Sequence, residues 1–287
     1  EKLRITLDEV ARLAGVSKAT VSRVLNNKPE GVGPQTRVKV QKILDDLNYS
    51  PANGYSKEKK MFSKSIGLVV PDISNPFFAE LAKEVEKRAR SAGYSVLFVN
   101  TDFSENNESK AMSHMLAKKV DGIILISART KLLDVHKLPE RYGVPCLLLD
   151  RKVPEMACVG AVLSDNEFAG FRSCELLINN GSSRIAFISG PKGISTSEER
   201  LEGYKTALKQ YNIPFDKDLC KTGNYTVESG YNAVIELERA NISYSAILAS
   251  NDMMALGALK ALGELARSVP DEVEVIGFDN ILFSQYL

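Results

Sequence analysis

The sequence predicts a small all-α module followed by an α/β domain of two Rossmann-like lobes. The 287 residues suffice for about two domains. Residues 1–50 contain only short helical patterns, whereas from Ser65 onward short β-branched runs alternate with amphipathic stretches. This alternation is typical of parallel sheets with helices on both faces.

The composition is that of an ordinary globular protein, with 44% hydrophobic and 25% charged residues. No apolar run approaches the ~20 residues that span a bilayer, and the first residues lack a signal-peptide pattern. The four cysteines form no Cys-x-x-Cys pair, which favours reduced, mostly buried thiols. We therefore expect a cytosolic protein without membrane contact, metal or cofactor.

Charge is distributed unevenly along the chain. Residues 1–64 contain 13 Lys or Arg and 7 Asp or Glu, a net charge of +6, and the remainder is net −5. This asymmetry indicates a basic arm on an acidic body, although chance variation in surface charge is the alternative.

The first helix begins at a capping box formed by Thr6 and Glu9. Val10, Leu13 and Ala14 give it an apolar stripe, and Gly15 is suited to the positive φ of a tight helix stop.

A second helix, Lys18 to Leu25, follows a cap at Ser17. Its expected inward residues are Val21, Val24 and Leu25. Two short helices in this arrangement form a helix-turn-helix. A third helix is predicted from Pro34 to Asn48, and its apolar positions are Val38, Ile43, Leu44 and Leu47.

The outward face of the second helix is small, polar and basic, so nothing bulky prevents its entry into a DNA major groove. The alternative is a three-helix packing module with a solvated face. The residues of this face are Ser17, Lys18, Ala19, Thr20, Ser22, Arg23 and Asn26.

The runs TLDEVARLAGVSKATVSRVLNNKP and TRVKVQKILDDLNYSP resemble the DNA-binding headpiece of the lactose-repressor and ribose-repressor family of bacterial transcription regulators. The resemblance implies that Lys18 and Ala19 read bases, and that Thr20, Ser22 and Arg23 contact bases or phosphates. It places Asn26 near the DNA backbone, and Thr6 and Tyr49 complete the expected DNA-binding set.

Residues 51–64 are polar and lysine-rich, which predicts a linker. Members of the family usually have a short hinge helix here, with an alanine and then a leucine that enters the minor groove. In an ungapped alignment these positions are Tyr55 and Glu58, and a carboxylate cannot act as an apolar wedge. The kink is then absent, or Tyr55, Met61 or Phe62 supplies it, or binding is mainly through the major groove. A solvated tether without DNA contact is a further alternative.

The body contains eight apolar runs that predict strands. The pattern of a strand, a proline-containing loop and a long helix occurs twice in the body. This internal repeat indicates two lobes divided near Ser164. We expect a headpiece at 1–50, a linker at 51–64 and an effector-binding and dimerisation domain at 65–287, with lobes at about 65–163 and 164–280. The runs are Ile66 to Val70, Val96 to Val99, Ile123 to Ile126, Cys146 to Leu149, Val159 to Leu163, Ile185 to Ser189, Ile247 to Ser250 and Val273 to Gly277.

Ligands of such sheets bind beyond the carboxyl ends of the strands. Planar polar groups and aromatic rings occur there, which is the chemistry that a free sugar needs. Any one of them could instead be a helix cap, as Asn75 and Asp252 illustrate. The candidate effector-binding residues are Asp72, Asn75, Phe77, Phe78, Ser127, Asp150, Arg151, Thr196, Arg200, Tyr225, Asn251, Asp252 and Asp279.

The segments PDISNPFFAEL, KKVDGIILIS, LLLDR, ERLEGY, SNDMMALGAL and VIGFDN resemble the effector domain of the same repressors, which is similar to periplasmic sugar-binding proteins. The resemblance implies that seven of the candidates line the effector pocket: Asp72, Phe77, Asp150, Arg151, Arg200, Asn251 and Asp279. It favours ribose or another pentose or hexose. Because family members run further beyond VIGFDN, a truncated C-terminus is expected.

An enzyme is the first competing class, but no Gly-x-Gly-x-x-Gly, Gly-x-Ser-x-Gly or phosphate-binding loop occurs, and both histidines, His114 and His136, are expected at the surface. Two more classes compete: a sugar-binding protein without regulatory DNA binding, and a catabolite regulator that senses a phosphorylated carrier protein. We expect a homodimeric or tetrameric repressor that binds operator DNA and a small effector.

We expect the linker to contribute less to DNA affinity than it does in relatives, because Glu58 adds charge repulsion where an apolar wedge is usual. Gly54 also lowers helix propensity by ~1 kcal/mol relative to alanine. The triple variant Glu58→Leu, Tyr55→Ala, Gly54→Val should bind DNA more tightly and bend it more in gel-mobility assays. Unchanged affinity and bend would contradict this.

Overall fold

The computed structural model describes residues 6–25, 31–47, 62–129 and 134–286. The expectations for Asn26, Tyr49, Tyr55, Glu58 and Met61 lie outside these residues. The described chain forms two compact units, one with the N-terminal helices and one with two sheets, and each is described by itself.

The first unit consists of helices α1 (Leu7–Ala14), α2 (Lys18–Leu25) and α3 (Pro34–Asp46). The capping box is present, because the Thr6 amide donates to Glu9 Oε2 at 2.7 Å and the Glu9 amide donates to Thr6 Oγ1 at 3.3 Å. Gly15 ends α1 with a φ of 65°. The helix-turn-helix is therefore confirmed among the described residues.

Two expected core positions of this unit are wrong. Leu13 is 55% exposed and Val38 is 70% exposed. The small residue Ala11 is buried in place of Leu13, and Val40 and Leu44 are the buried residues of α3. Because the short helices cross closely, the positions that face inward accept small or β-branched side chains more readily than long ones. Helix α3 ends at Asp46, before the predicted Asn48.

The second unit begins with a five-stranded parallel sheet. Its strands are β1 (Ser65–Val70), β2 (Ser95–Asn100), β3 (Gly122–Leu125), β4 (Cys146–Leu149) and β5 (Gly160–Val162), in the order β2-β1-β3-β4-β5. The helices along this stretch are α4 (Pro76–Ser91), α5 (Glu105–Ala117) and the short α6 (Leu138–Arg141). We call this sheet and the helices packed on it the N-lobe.

A second parallel sheet of four strands forms the C-lobe. Its strands are β6 (Ile185–Ser189), β7 (Cys220–Thr222), β8 (Ala246–Ala249) and β9 (Glu274–Ile276), in the order β7-β6-β8-β9. Its helices are α7 (Asn166–Asn179), α8 (Ser195–Gln210), α9 (Val227–Arg239) and α10 (Asp252–Glu264).

The predicted fold class is confirmed, with all eight predicted strands present to within a few residues. Strand β7 was not predicted, because its three residues carry too little apolar pattern to be seen in the sequence. The sequence pattern from Glu198 to Tyr211 predicts a helix, and the structure begins this helix, α8, earlier at Ser195, since a polar first turn conceals its start.

All four cysteines lie in described residues and none forms a disulfide: Cys146 and Cys174 are buried, Cys220 is half-buried and Cys158 is exposed. No described helix is both long enough and apolar enough to cross a membrane.

Glycines allow the C-lobe helices to pack in unusually close pairs. A Cβ atom at Gly203 of α8 would lie 2.0 Å from the Glu167 carbonyl oxygen of α7, and one at Gly257 of α10 would lie 1.9 Å from the Val227 carbonyl oxygen of α9. Gly170 and Gly230 make the reciprocal contacts. Since these helices begin beside the carboxyl ends of the strands, the glycines also determine where the residues at the helix starts lie.

We expect Gly257→Ala to destabilise the C-lobe by about 1–3 kcal/mol or more, because the backbone of α9 must move. Gly263→Ala on the same helix is the matched control: no atom lies within 4 Å of its added Cβ. It should be neutral or stabilise by up to ~1 kcal/mol. Urea unfolding measures both, and equal effects would contradict the packing argument.

Candidate functional site

The outward face of α2 is accessible in the helical unit. Ser17, Lys18, Ala19 and Arg23 are exposed, and Thr20 and Ser22 are half-buried. The Thr20 amide donates to Ser17 Oγ at 3.2 Å, so Ser17 caps the helix as predicted. The outward face of α2 therefore presents short side chains, with Lys18 in the first turn and Arg23 in the last turn.

Several of the expected DNA-binding side chains already have partners within this unit, and the Ser17 and Thr20 hydroxyl groups lie 2.9 Å apart. Lys18 Nζ lies 2.9 Å from Asp8 Oδ2, but both side chains are more than half exposed, so the ion pair is weak and easily exchanged. Thr6 is bound to Glu9 in the capping box. In this structure the Thr6 side chain acts as the N-cap of α1.

The second unit contains a cleft at the carboxyl ends of the strands. Ten of the thirteen candidate effector-binding residues line it. They are Asn75, Phe77, Phe78, Asp150, Arg151, Thr196, Arg200, Tyr225, Asn251 and Asp279.

The remaining three candidates lie next to the pocket without lining it. Asp72 accepts hydrogen bonds from the Ser74 amide and hydroxyl, which closes a local turn. Ser127 is buried, and its hydroxyl donates to Glu108. Asp252 accepts from the Ile281 amide at 2.9 Å and faces a separate groove. The polar group of each of these three side chains is therefore already hydrogen-bonded within the protein.

Arg200 is held on three sides by the C-lobe. Its Nε donates to Asn166 Oδ1 at 2.9 Å, and its Nη1 donates to the Ser250 carbonyl. The guanidinium lies 4.5 Å from the centre of the Phe278 ring. Asp279 Oδ1 is 3.9 Å from Nη1, which is close enough for attraction but longer than a good hydrogen bond.

Arg151 belongs to the N-lobe and is 2% exposed. Its Nη1 donates to the Ser127 carbonyl at 2.9 Å, and its Nε lies 3.3 Å from Asp150 Oδ2 without forming a hydrogen bond of good geometry. The buried Nε–H therefore remains without a hydrogen-bond acceptor among the described residues.

Burial raises the pKa of the pocket carboxyl groups. Desolvation raises the pKa of Asp279 to about 7, against the lowering effect of Arg200. Desolvation likewise raises the pKa of Asp150, although Arg151 and Arg200 oppose it. The pKa of Asp252 is also raised by burial. The pocket thus holds ionisable carboxyl groups that lack enough hydrogen-bond donors.

Three pocket residues have a left-handed backbone conformation. The φ angles are 66° at Asp150, 68° at Tyr225 and 101° at Asp279. Such conformations cost about 1–3 kcal/mol each for residues with a side chain, and they cluster at functional sites. Here they direct the side chains into the cleft immediately after strands and turns.

Asn75 and Asn251 are both helix caps and pocket residues. Asn75 Oδ1 accepts from the Phe77 amide at the start of α4, and Asn251 Oδ1 accepts from the Met254 amide at the start of α10. Asn251 Nδ2 also donates to the Tyr225 carbonyl. Thr196 Oγ1 lies 3.2 Å from the Tyr225 hydroxyl, within hydrogen-bond distance.

The structure adds polar neighbours that the sequence did not reveal. Asn166 follows the apolar run of β5 and holds Arg200, so its position after a strand was the available signal. His136, expected at the surface, is fully buried, with Nε2 2.5 Å from Glu108 Oε1. The predicted surface position of His136 is wrong because the buried Glu108, in the first turn of α5, provides the imidazole with a hydrogen-bond partner. His114 is exposed as expected.

Within the described segments, no group of three or more His, Cys, Asp or Glu side chains is arranged to hold a metal ion. The pocket contains amide, hydroxyl, guanidinium, carboxyl and aromatic groups, which suit hydrogen bonding and ring stacking with an organic ligand.

A helix-turn-helix module followed by a two-lobed α/β ligand-binding domain defines a ligand-responsive DNA-binding protein. The comparisons with known proteins name the family. A model of bacterial regulatory proteins of the lacI family matches residues 6–52. A model of periplasmic binding proteins and the sugar-binding domain of the LacI family matches residues 63–285. The chain belongs to the LacI family and is a DNA-binding transcriptional repressor with a sugar-binding domain.

Individual relatives span nearly the whole chain. Catabolite control protein A of Priestia megaterium is 36% identical over 98% of this chain and 84% of the relative. The ribose operon repressor of Halalkalibacterium halodurans is 35% identical over 96% of this chain and 80% of the relative. The crystal structure of the lac repressor dimer bound to operator and the anti-inducer ONPF has a TM-score of 0.70 and 26% identity, covering 98% of this chain and 84% of that one.

We expect Asp279→Asn to stabilise the unliganded protein increasingly as the pH rises from about 4 to about 7. The raised pKa means that the folded state disfavours the ionised carboxyl, so the wild type loses stability over this interval and gains none back above it. Melting temperatures at pH 5 and pH 8 measure the difference. The exposed Asp218→Asn variant is the control, and a pH-independent difference for Asp279→Asn would contradict the expectation.

Proposed function

We propose that the repressor is controlled by a neutral monosaccharide, with ribose as the first candidate, which binds in the cleft between the lobes. The charge balance of the pocket carries this proposal. Arg151 is paired with Asp150, and Arg200 is paired with Asp279. Because each guanidinium group already has a carboxyl group beside it, an anionic ligand would have to compete with that carboxyl group for the cation, whereas a neutral ligand would not.

The polar and aromatic lining of the pocket supports the same ligand class. The rings of Phe77 and Phe78 are 5.1 Å apart and meet edge to face, which leaves a ring face for the C–H groups of a sugar. The hydroxyl groups of a sugar can donate hydrogen bonds to Asp150 and Asp279, which have few donors in the pocket, and can accept one from the Arg151 Nε–H.

The relative named catabolite control protein A favours a second candidate, in which control comes from a phosphorylated carrier protein. In that case the cleft need not bind a free sugar with useful affinity. The two candidates therefore differ in a direct binding measurement on the intact chain.

We further propose that the chain acts as a homodimer or a tetramer in the cytoplasm. Symmetric proteins read near-palindromic operators, and the lac repressor structure with similar fold is a dimer on operator DNA. Effector and DNA binding would be linked through differential affinity for two arrangements of the lobes. We infer that the protein is a regulator and not an enzyme.

We expect Arg23→Ala to weaken binding to all duplex sequences and to reduce the slope of log affinity against log salt by about 1, as for a lost phosphate contact. Substitution of Lys18 should instead change the preferred sequence, because it lies at the start of α2. Selection from a random duplex library with the intact protein measures both. Lys205→Ala, at a half-buried lysine of the C-lobe, is the charge-matched control, and the absence of any enriched motif would contradict sequence-specific repression.

We expect calorimetry to detect binding of D-ribose or a related neutral monosaccharide, and Arg200→Ala to abolish most of the affinity. Removal of Arg200 leaves Asn166 Oδ1 and the Ser250 carbonyl without their donor and Asp279 without its nearest cation, which costs more than the net value of one hydrogen bond. Lys205→Ala on the same helix should bind normally. Unchanged binding by Arg200→Ala would place the site elsewhere.

Ribose 5-phosphate distinguishes the ligand classes in the same experiment. We expect it to bind at least tenfold more weakly than ribose, since its phosphate finds no free cation among the described pocket residues. No binding of any neutral monosaccharide, together with binding of a phosphorylated carrier protein, would favour the second candidate.

A further inference from the structure

Behind the pocket lies an aromatic residue that the sequence did not identify. Phe103 belongs to the N-lobe, in the turn between β2 and α5, yet its ring packs against the apolar core of the C-lobe. It stacks on Tyr225 of the C-lobe, with ring centres 6.3 Å apart and an angle of 28° between the planes. Phe103 is therefore a direct apolar contact between the two lobes.

Phe103 also completes an aromatic enclosure around Arg151. The Arg151 guanidinium carbon lies 5.4 Å from the Phe103 ring centre, 5.7 Å from that of Phe78 and 5.9 Å from that of Tyr225. Two of these rings come from the N-lobe and one comes from the C-lobe. All are within the distance at which a cation is attracted to a ring face. The position of Arg151 thus depends on both lobes.

The backbone around Phe103 is strained and firmly held. Asp102 and Phe103 have φ angles of 51° and 54°, two consecutive left-handed residues with side chains. The Phe103 amide donates to the Pro71 carbonyl at 3.1 Å, and the Thr101 amide donates to the Val70 carbonyl at 2.9 Å. Asn100 Oδ1 accepts from the Ile73 amide. These bonds fix the turn to the end of β1, so the strain serves to direct the ring towards the cleft.

On the C-lobe side of the contact, the Tyr225 ring is also held in place by its surroundings. A Cβ atom at Gly190, directly after β6, would lie 2.3 Å from Cζ of Tyr225, so any larger residue would displace the Tyr225 ring. Tyr225 has a left-handed φ of 68°. Its ring is thus held between the Gly190 backbone and the Phe103 ring.

We propose that Phe103 is a positioning residue of the effector pocket, which holds Arg151 and Tyr225 from behind and joins the lobes across the cleft when the effector is bound. This inference rests on the proposed function for its ligand, but the contact itself exists without one. Phe103 does not line the pocket, so its effect on the ligand passes through Arg151 and Tyr225.

The absence of tryptophan from the chain makes the contact measurable. Phe103→Trp introduces a single tryptophan between the lobes, and Phe98→Trp introduces one on β2, where the native side chain is 38% exposed. Without ligand, we expect acrylamide to quench Phe103→Trp at least threefold less than Phe98→Trp. Equal quenching would overturn the proposed inter-lobe contact, whatever the ligand is.

The second measurement uses D-ribose as the probe on the full chain. Phe103→Leu retains apolar volume but loses the ring face, and we expect about a tenfold loss of affinity, mostly through faster dissociation, which corresponds to about 1.4 kcal/mol. Phe103→Tyr should restore affinity to within about threefold of wild type, and Phe98→Leu should leave it unchanged. Wild-type affinity for Phe103→Leu would overturn the positioning role.

Stability and ligand identity are separated by two further readouts. If Phe103→Leu lowers the melting temperature too far for binding studies, the emission of Phe103→Trp on ribose titration decides the question. A change in emission supports the proposal, and an unchanged spectrum with calorimetric binding overturns it. Failure of the wild type to bind any neutral monosaccharide would instead refute the proposed ligand, and the quenching comparison would still decide the contact.

Discussion

Two buried guanidinium groups, Arg151 and Arg200, impose the constraint on which the architecture of the cleft depends. A cation removed from water is tolerated only where charges, carbonyl groups and ring faces replace its hydration. For Arg200 these are Asn166, the Ser250 carbonyl and Phe278, all from the C-lobe. For Arg151 they come from both lobes, which makes the arrangement of the lobes part of its solvation.

The elements around the cleft are positioned to supply those partners. Parallel strands place their carboxyl ends at one edge, and two of the helices that follow, α4 and α10, begin there with asparagine caps. The glycine contacts between α7 and α8 fix Asn166 near Arg200, because both lie on helices in direct backbone contact. Packing at a small residue therefore determines the geometry of a charged hydrogen bond about one helical turn away.

Most of the candidate site could be predicted because it follows from one rule, that ligands lie beyond the carboxyl ends of parallel strands. Arg200 and Asn251 were found in this way. Phe103 could not be, since its position depends on two consecutive left-handed residues that no local pattern indicates. His136 was misplaced because its partner Glu108 is 28 residues away in the chain. The exposure of Val38 has a similar cause. Helical periodicity alone does not show which apolar residues of a helix face a closely packed neighbouring helix.

The carboxyl groups of the cleft are suited to the neutral ligand proposed above. In the unliganded pocket, desolvation raises the pKa of both Asp150 and Asp279, so their ionised forms are under-solvated. Sugar hydroxyl groups supply donors without adding charge, and they can do so fully only when both lobes are in contact with the ligand. Under the proposed function, such a ligand would therefore have a higher affinity for the closed arrangement than for an open one. Differential affinity of this kind is the only source from which a bound effector can shift a conformational equilibrium. By linkage, DNA that favours one arrangement must change the affinity for the effector by the same factor.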